Sequence, residues 1–291
     1  DLSVSSVVKF IQNKINTKTK WFYTGEAYRK QNKNYNAPII NQTGFEIFAS
    51  NDKIKDDKEI IQTSIEIFKK SKFKKGELNI SNIEIFNALI DRLSLALRWK
   101  ERIKRHFCRE AYFNQLLRKL SSDTDINFAE IEKDKKIAEK FRKQKPSTLY
   151  SGRALKDILE RFDLKNFKEP RSIADKKSVK IIKNYLKISC SIDNAPSTLN
   201  KFFKKNKLNL FISDDYFPVV KTINRKIKIN FSSNINRSLE YYSGMVFNIT
   251  VNKKGKKFSL ISGGRYDGLL KNLGSKKNTT AVGAAFDMSL L

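Results

Sequence analysis

Apolar residues three and four apart open the chain. In "SSVVKFIQNKIN" (5–16), Val8, Ile11 and Ile15 share one helical face, which predicts an amphipathic helix. "WFYTGEAYRK" then reads as a strand, followed by a polar loop, "QNKNYNAP", that Pro38 closes. "IINQTGFEIFAS" alternates along a second strand, with Gln42, Gly44 and Glu46 on one face and Thr43, Phe45 and Ile47 on the other. Such a strand suits a sheet packed below and open to a ligand above.

From "DDKEIIQTSIEIFKK" the period turns helical, and the stretch beginning "GELNISNIEIF" and running to "LLRKL" reads as one strand and a succession of helices. Residues 123–185 are charged, weakly apolar and mostly helical in pattern. Strand character returns at "LNLFISDDYFPVV", "KIKINFS", "EYYSGMVFNITV" and "FSLISGG". "NKKGKK" joins the last two as a hairpin turn, with Gly255 supplying a positive φ. Helices lie between strands without strict βαβ alternation, which predicts an α+β fold with a mainly antiparallel sheet. The expected organisation is a single domain over 1–291 with a mostly helical insertion at about 100–205.

Composition adds limits. The chain has 291 residues, 40% of them hydrophobic and 11% aromatic, enough for a folded core. No stretch is long and apolar enough to span a bilayer, and the first residues lack the pattern of a signal peptide. Cys108 and Cys190 make neither a disulfide framework nor a metal quartet, so a reducing cytoplasm is expected. Lys and Arg number 59 against 30 acidic residues, a net charge of +29, and 14 Arg leave 59 − 14 = 45 Lys. Lysine spread along the whole chain, beside abundant Asn and Ile, is what an AT-rich genome imposes. Nucleic acid is therefore not the expected partner, since a nucleic-acid groove favours arginine interleaved with aromatics.

Three segments carry candidate chemistry: Arg29, Gln42 and Glu46 in the first; Arg237, Glu240, Tyr241 and Tyr242 in "NRSLEYYSGMVF"; and Arg265, Tyr266 and Asp267 in "SGGRYDGLL". Together they make an inventory for a small zwitterion. A carboxylate accepts an ammonium, an arginine forks onto a carboxylate, and tyrosines wall a flat ring. The glycines of "SGG" would let a ligand approach the backbone. His106, the only histidine, sits among Arg102, Lys104, Arg105 and Arg109 and reads as part of a charged helix face.

"NRSLEYYSGMVF" and "SGGRYDGLL" resemble the two histidine-recognition motifs of histidyl-tRNA synthetase. "AYRK…NQTGFEIF" and "AVGAAFDMSLL" resemble its second and third class II motifs. The resemblance implies the class II synthetase fold. It also implies a histidine pocket built from Gln42, Glu46, Arg237, Tyr242 and Tyr266, with Asp1, Arg29, Tyr241 and Arg265 as further lining.

Departures from the synthetase pattern fall on the ATP side. Arg29 is followed by Lys30 and Gln31 rather than a residue and Glu, no arginine follows in "QNKNYNAPIINQ", and Leu290 stands where the third motif has its arginine. Without those cations the charge developing on the α-phosphate loses an electrostatic stabilisation of about 3 kcal/mol or more, so adenylation is not expected. The chain also ends at Leu291, short of an anticodon-binding domain, and "DLSV" resembles a segment that follows the first class II motif, which builds the dimer interface.

These features resemble the regulatory subunit of ATP phosphoribosyltransferase, a non-catalytic synthetase paralogue, and "RWKERIKRHF" is similar to that family's helical region. This resemblance implies a hetero-oligomer with the short catalytic chain, L-histidine as effector, self-association of the full-length protein and no cofactor. The alternatives are a divergent histidyl-tRNA synthetase fragment that activates histidine, and an RNA-binding relic of one.

Overall fold

The computed structural model describes residues 2–28, 39–122, 128–144, 149–150, 153–166, 174–213, 216–217, 227–235, 240–253, 255–275 and 278–288. The chain divides into two compact units, one made of residues 1–89 and 184–291, the other of 90–183.

The first unit is built on eight strands: β1 (Thr19–Tyr28), β2 (Ile39–Phe48), β3 (Gly76–Asn82), β6 (Ser189–Ser191), β7 (Lys228–Ser232), β8 (Met245–Lys253), β9 (Lys256–Arg265) and β10 (Ala281–Asp287). Their order is β1-β2-β10-β9-β8-β3-β7-β6, and every pair is antiparallel except β3 with β7. The expected α+β class and mainly antiparallel sheet are those of the structure. At the β8–β9 hairpin Gly255 has φ +78°, a region open to glycine without strain.

Helix α2 (Lys53–Lys70) lies across β2, β8, β9 and β10 and buries Ile60, Ile61, Ile65 and Phe68. Asp52 caps its first turn, accepting from the Lys55 N–H at 3.0 Å. Helix α1 (Leu2–Gln12) covers the other face near β1 and β2. Its buried residues are Ser3, Ser6, Val7 and Phe10, whereas Val8 points outward. Of the predicted stripe, Ile11 and Ile15 pack against the apolar cluster of Val7, Phe10 and Phe48, and only Val8 departs from it. Phe10 decides the orientation, stacking on Phe48 with centroids 4.6 Å apart and meeting Trp21 edge-on at 5.8 Å.

Residues 208–213 form no strand, contrary to the reading of "LNLFISDDYFPVV"; its later residues lie partly outside the described ones. The side chain of Asn200, on α9 (Ala195–Lys205), takes the place of a strand partner. Its Oδ1 accepts from the Ile212 N–H at 2.8 Å and its Nδ2 donates to the Ile212 carbonyl at 2.9 Å. Satisfied by one side chain, this backbone needs no ladder.

The second unit holds α4 (Leu97–Arg105), α5 (Glu110–Ser121), α6 (Phe128–Arg142), α7 (Leu155–Asn166) and most of α8 (Ala174–Tyr185), with a short hairpin of β4 (Leu149–Tyr150) and β5 (Arg153–Ala154). This compact unit spans 90–183. Helix α9 belongs with the sheet, since its Leu199 and Phe203 are fully buried beside β6. No helix of the described residues is long and apolar enough to cross a membrane.

Candidate functional site

Glu46 lies at the centre of the α1-covered face, on the inner side of β2, and is only 2% exposed. Strand alternation brings Tyr23, on β1, beside it, and the turn after β9 delivers Tyr266 from the opposite side. Tyr23 donates its hydroxyl proton to Glu46 Oε1 at 3.0 Å, and Tyr266 donates to Oε2. Having given its proton away, Tyr23 accepts from Gln42 Nε2 at 3.5 Å, and Ser3 Oγ on α1 lies 2.7 Å from the same hydroxyl. Two tyrosines thus donate to the carboxylate from opposite sides, while Gln42 and Ser3 brace the Tyr23 hydroxyl.

Burial pushes the Glu46 carboxyl up to about 7, although the hydroxyls of Tyr266, Tyr23 and Ser3 pull the other way. The Tyr23 and Tyr266 hydroxyls are pushed far above the ordinary phenol range, first by burial and then by the neighbouring carboxylate. Space for Glu46 comes from Gly283, its cross-strand partner on β10, where any Cβ would overlap the carboxylate.

Aromatic rings wall the cluster. Tyr241 lies 5.6 Å edge-on from Tyr266 and 4.9 Å from Tyr242, centroid to centroid. Phe48, Tyr266, Leu270 and Ala281 join Val7 and Phe10 in the apolar cluster beneath. The arrangement is a buried acceptor walled by aromatic rings.

Of the residues read from the sequence, Gln42, Glu46, Tyr241, Tyr242 and Tyr266 come together here. Asp1, Arg29, Arg237 and Leu290 lie outside the described residues. Two expectations need correction. The polar face of β2 is not open above, because α1 and the tyrosines close over it and leave Gln42 only 4% exposed. The glycines of "SGG" serve the interior, since a Cβ on Gly264 would meet the Tyr242 ring at 2.8 Å and one on Gly263 the Phe247 ring at 2.7 Å.

Arg265 does not join the cluster. Its guanidinium turns to the α2 side of the sheet and grips Asp57 through Nε at 3.0 Å and Nη2 at 2.5 Å. It also bonds Asp267 at 3.0 Å and the Lys53 carbonyl at 3.0 Å. Burial pushes Asp57 up to about 6 against the pull of Arg265. Asp267 is held below its usual range, where Lys53, the Ala281 N–H and Arg265 outweigh burial. A cavity of about 290 Å³ opens on this side, lined by Lys53, Asp57, Asn82, Glu84, Tyr216 and Arg265 among others.

Sequence reading passed over Tyr23 and Ser3. The signal for Tyr23 was available, because Trp21, Tyr23 and Gly25 alternate with outward residues and pair in register with Glu46, Gly44 and Gln42. Ser3 carried none, since a serine in the first turn of a helix ordinarily faces water or a backbone N–H.

Comparison with known proteins places this geometry. The family model described as histidyl-tRNA synthetase matches residues 4–160 and 148–291. A relative named ATP phosphoribosyltransferase regulatory subunit, from Rhizobium rhizogenes, is 23% identical over 98% of this chain and 80% of its own length. A histidine–tRNA ligase from Francisella tularensis subsp. novicida is 43% identical over 22% of this chain and 15% of its own. Among solved structures, one titled ATP phosphoribosyltransferase regulatory subunit/histidyl-tRNA synthetase, from Bacillus halodurans, shares the fold with a TM-score of 0.59 and 18% identity. This chain covers 62% of that one. With the family model matched over nearly all of its length, the chain belongs to the histidyl-tRNA synthetase family.

Proposed function

We propose that this chain is a non-catalytic regulatory subunit of ATP phosphoribosyltransferase, acting at the first step of histidine biosynthesis in the cytoplasm. It assembles with the short catalytic chain and holds an amino-acid pocket for L-histidine around Glu46. The observation that carries this reading is an intact amino-acid side beside an altered ATP side. Glu46, Gln42, Tyr23 and Tyr266 form one hydrogen-bonded unit, while Leu290 and the arginine-free loop after Arg29 replace the cations that activation needs. The name carried by the relative matched over nearly the whole chain supports it.

Glu46, once ionised, is the partner for the ligand's ammonium, and the tyrosines enclose the imidazole. Histidine then acts by binding one state of the complex more tightly than the other, a coupling of typically 1–3 kcal/mol.

The test is the phosphoribosyl transfer rate of the short catalytic chain, with and without the full-length form of this protein. A large activation that histidine reverses is the expected result. No change at saturating concentration overturns the assignment. Histidine-dependent ATP–pyrophosphate exchange would instead establish a synthetase.

A further inference from the structure

Asn82 has a capping bond at one end of its amide and none at the other. It ends β3, is only 8% exposed, and begins α3 (Ile83–Arg92). Its Oδ1 accepts from the Glu84 N–H at 2.8 Å, which closes the first turn of the helix. That bond fixes which end of the amide is oxygen. The nitrogen, with two protons to give, donates to no group among the described residues. An amide so deeply buried and half-satisfied costs stability, so its place in the fold needs a reason.

Asn82 lines the cavity on the α2 side of the sheet, a space that lies wholly within the first unit. Two acids line it as well. Asp57 spends Oδ1 on both the Nε and the Nη2 of Arg265, and its Oδ2 accepts from no group among the described residues. Glu84 is exposed and makes no ion pair among them. The cations at the cavity are already engaged. Lys53 reaches Asp267 at 2.7 Å, and Arg265 is held by Asp57 and Asp267. Two cations and two carboxylates balance, and Glu84 is the surplus. In a chain of net charge +29, the local excess is negative.

Apolar surface completes the walls. Ile80, Phe217 and Met245 are buried at the cavity, and the partly exposed Tyr216 adds a ring with a polar tip. We propose that this cavity is a second ligand site, separate from the cluster around Glu46, and that it takes a compact aromatic amine carrying a carbonyl. The ammonium is met by Glu84 and Asp57 Oδ2, the carbonyl takes the Asn82 amide protons, and the ring packs among Tyr216, Phe217 and Met245. A volume of about 290 Å³ is at the small end of ligand cavities, which limits the occupant to one ring and a short arm. A phosphate does not fit this chemistry, because both cations are spent on carboxylates and Glu84 repels it. The site does not depend on the reading of the chain as a subunit.

The probe is L-phenylalaninamide, which joins an ammonium, a carbonyl and a ring, titrated into the full-length protein by calorimetry. Saturable binding is expected, with 3-phenylpropanamide, which lacks the ammonium, weaker by about 10-fold or more. Glu84→Gln removes the surplus charge at an exposed position, where folding is insensitive, and should weaken the probe roughly 3- to 5-fold. Asn82→Ser keeps a capping oxygen for α3 and loses the amide nitrogen, with an expected loss of roughly 3- to 10-fold. No saturable binding to the parent protein, or equal affinity for 3-phenylpropanamide, overturns the site. Binding that Glu46→Gln removes and both cavity variants retain would place the probe on the other face of the sheet, and the site falls with it. The rate of the catalytic chain is measured separately, so failure here leaves the subunit reading standing.

Discussion

Glu46 is held where ionising it opposes folding. Its carboxyl sits at about 7 in the folded chain against 4.5 for the ordinary group, with burial as the leading cause. The folded state therefore keeps a proton that the unfolded chain has released. The stability this gives is fully present below about 4.5 and is lost as pH rises through 7, a difference on the order of 3 kcal/mol. Thermal unfolding should show a midpoint that falls between pH 5.5 and 8.5. Glu46→Gln should flatten that fall and leave the variant more stable than the parent at pH 8. The same change should abolish histidine binding, measured by calorimetry, because the ammonium loses its charge partner. A residue whose replacement raises stability and removes binding is one retained for its ligand. Parallel pH curves for both proteins would show that Glu46 ionises without penalty.

At the scale of elements, β9 and α2 are joined through Arg265. Its guanidinium is 5% exposed and bonds Asp57, Asp267 and the Lys53 carbonyl, tying the end of a strand to the first turn of a helix. Removing it strips the buried Asp57 carboxylate of its guanidinium and leaves Asp267 to Lys53. Arg265→Ala should cost about 3–5 kcal/mol in denaturant unfolding, and Arg265→Lys should recover only part, since an ammonium cannot fork onto Asp57. A loss below about 1 kcal/mol would mean that water replaces the clamp. This role was not legible in "SGGRYDGLL", where Arg265 stands beside Tyr266. One step along an extended chain reverses the face, and only the position of α2 decides which face is the pocket. Elements with strict periods were legible: β2 from ten alternating residues, and α2 from its apolar stripe. Misread stretches owe their state to single side chains far away or out of pattern. Asn200 satisfies the Ile212 backbone in place of a strand partner, and Phe10, stacked on Phe48, turns α1 so that Val8 faces outward. Within the site, the second class II motif brought Glu46 into view, and the paired histidine motifs Tyr242 and Tyr266. Tyr23 was legible only as an alternating position of β1, and Ser3 became visible only with the seat of α1.

For the whole molecule the governing quantity is charge. Even if every one of the 30 acidic residues paired with a basic one, 29 of the 59 would remain without a counter-charge. Pairs on the sheet show how they are shared, Lys228 and Lys257 both reaching Glu77, at 3.6 and 2.6 Å. Folding brings these like charges closer together than in the extended chain, so the net field opposes the compact state. Salt shortens the range of that repulsion from about 30 Å at 0.01 M to roughly 5 Å at 0.5 M. Individual surface pairs lose little under the same screening, since each contributes only ~0–1 kcal/mol. The two effects have opposite signs, and for an excess this large repulsion dominates. The unfolding midpoint should therefore rise by roughly 3–6 °C between 20 and 500 mM potassium chloride, the response expected for about 1–2 kcal/mol in a chain of this size. A midpoint that falls with salt would mean that the charges are organised into stabilising networks rather than spread. The excess of lysine would then be an adaptation of the fold and not a drift of composition.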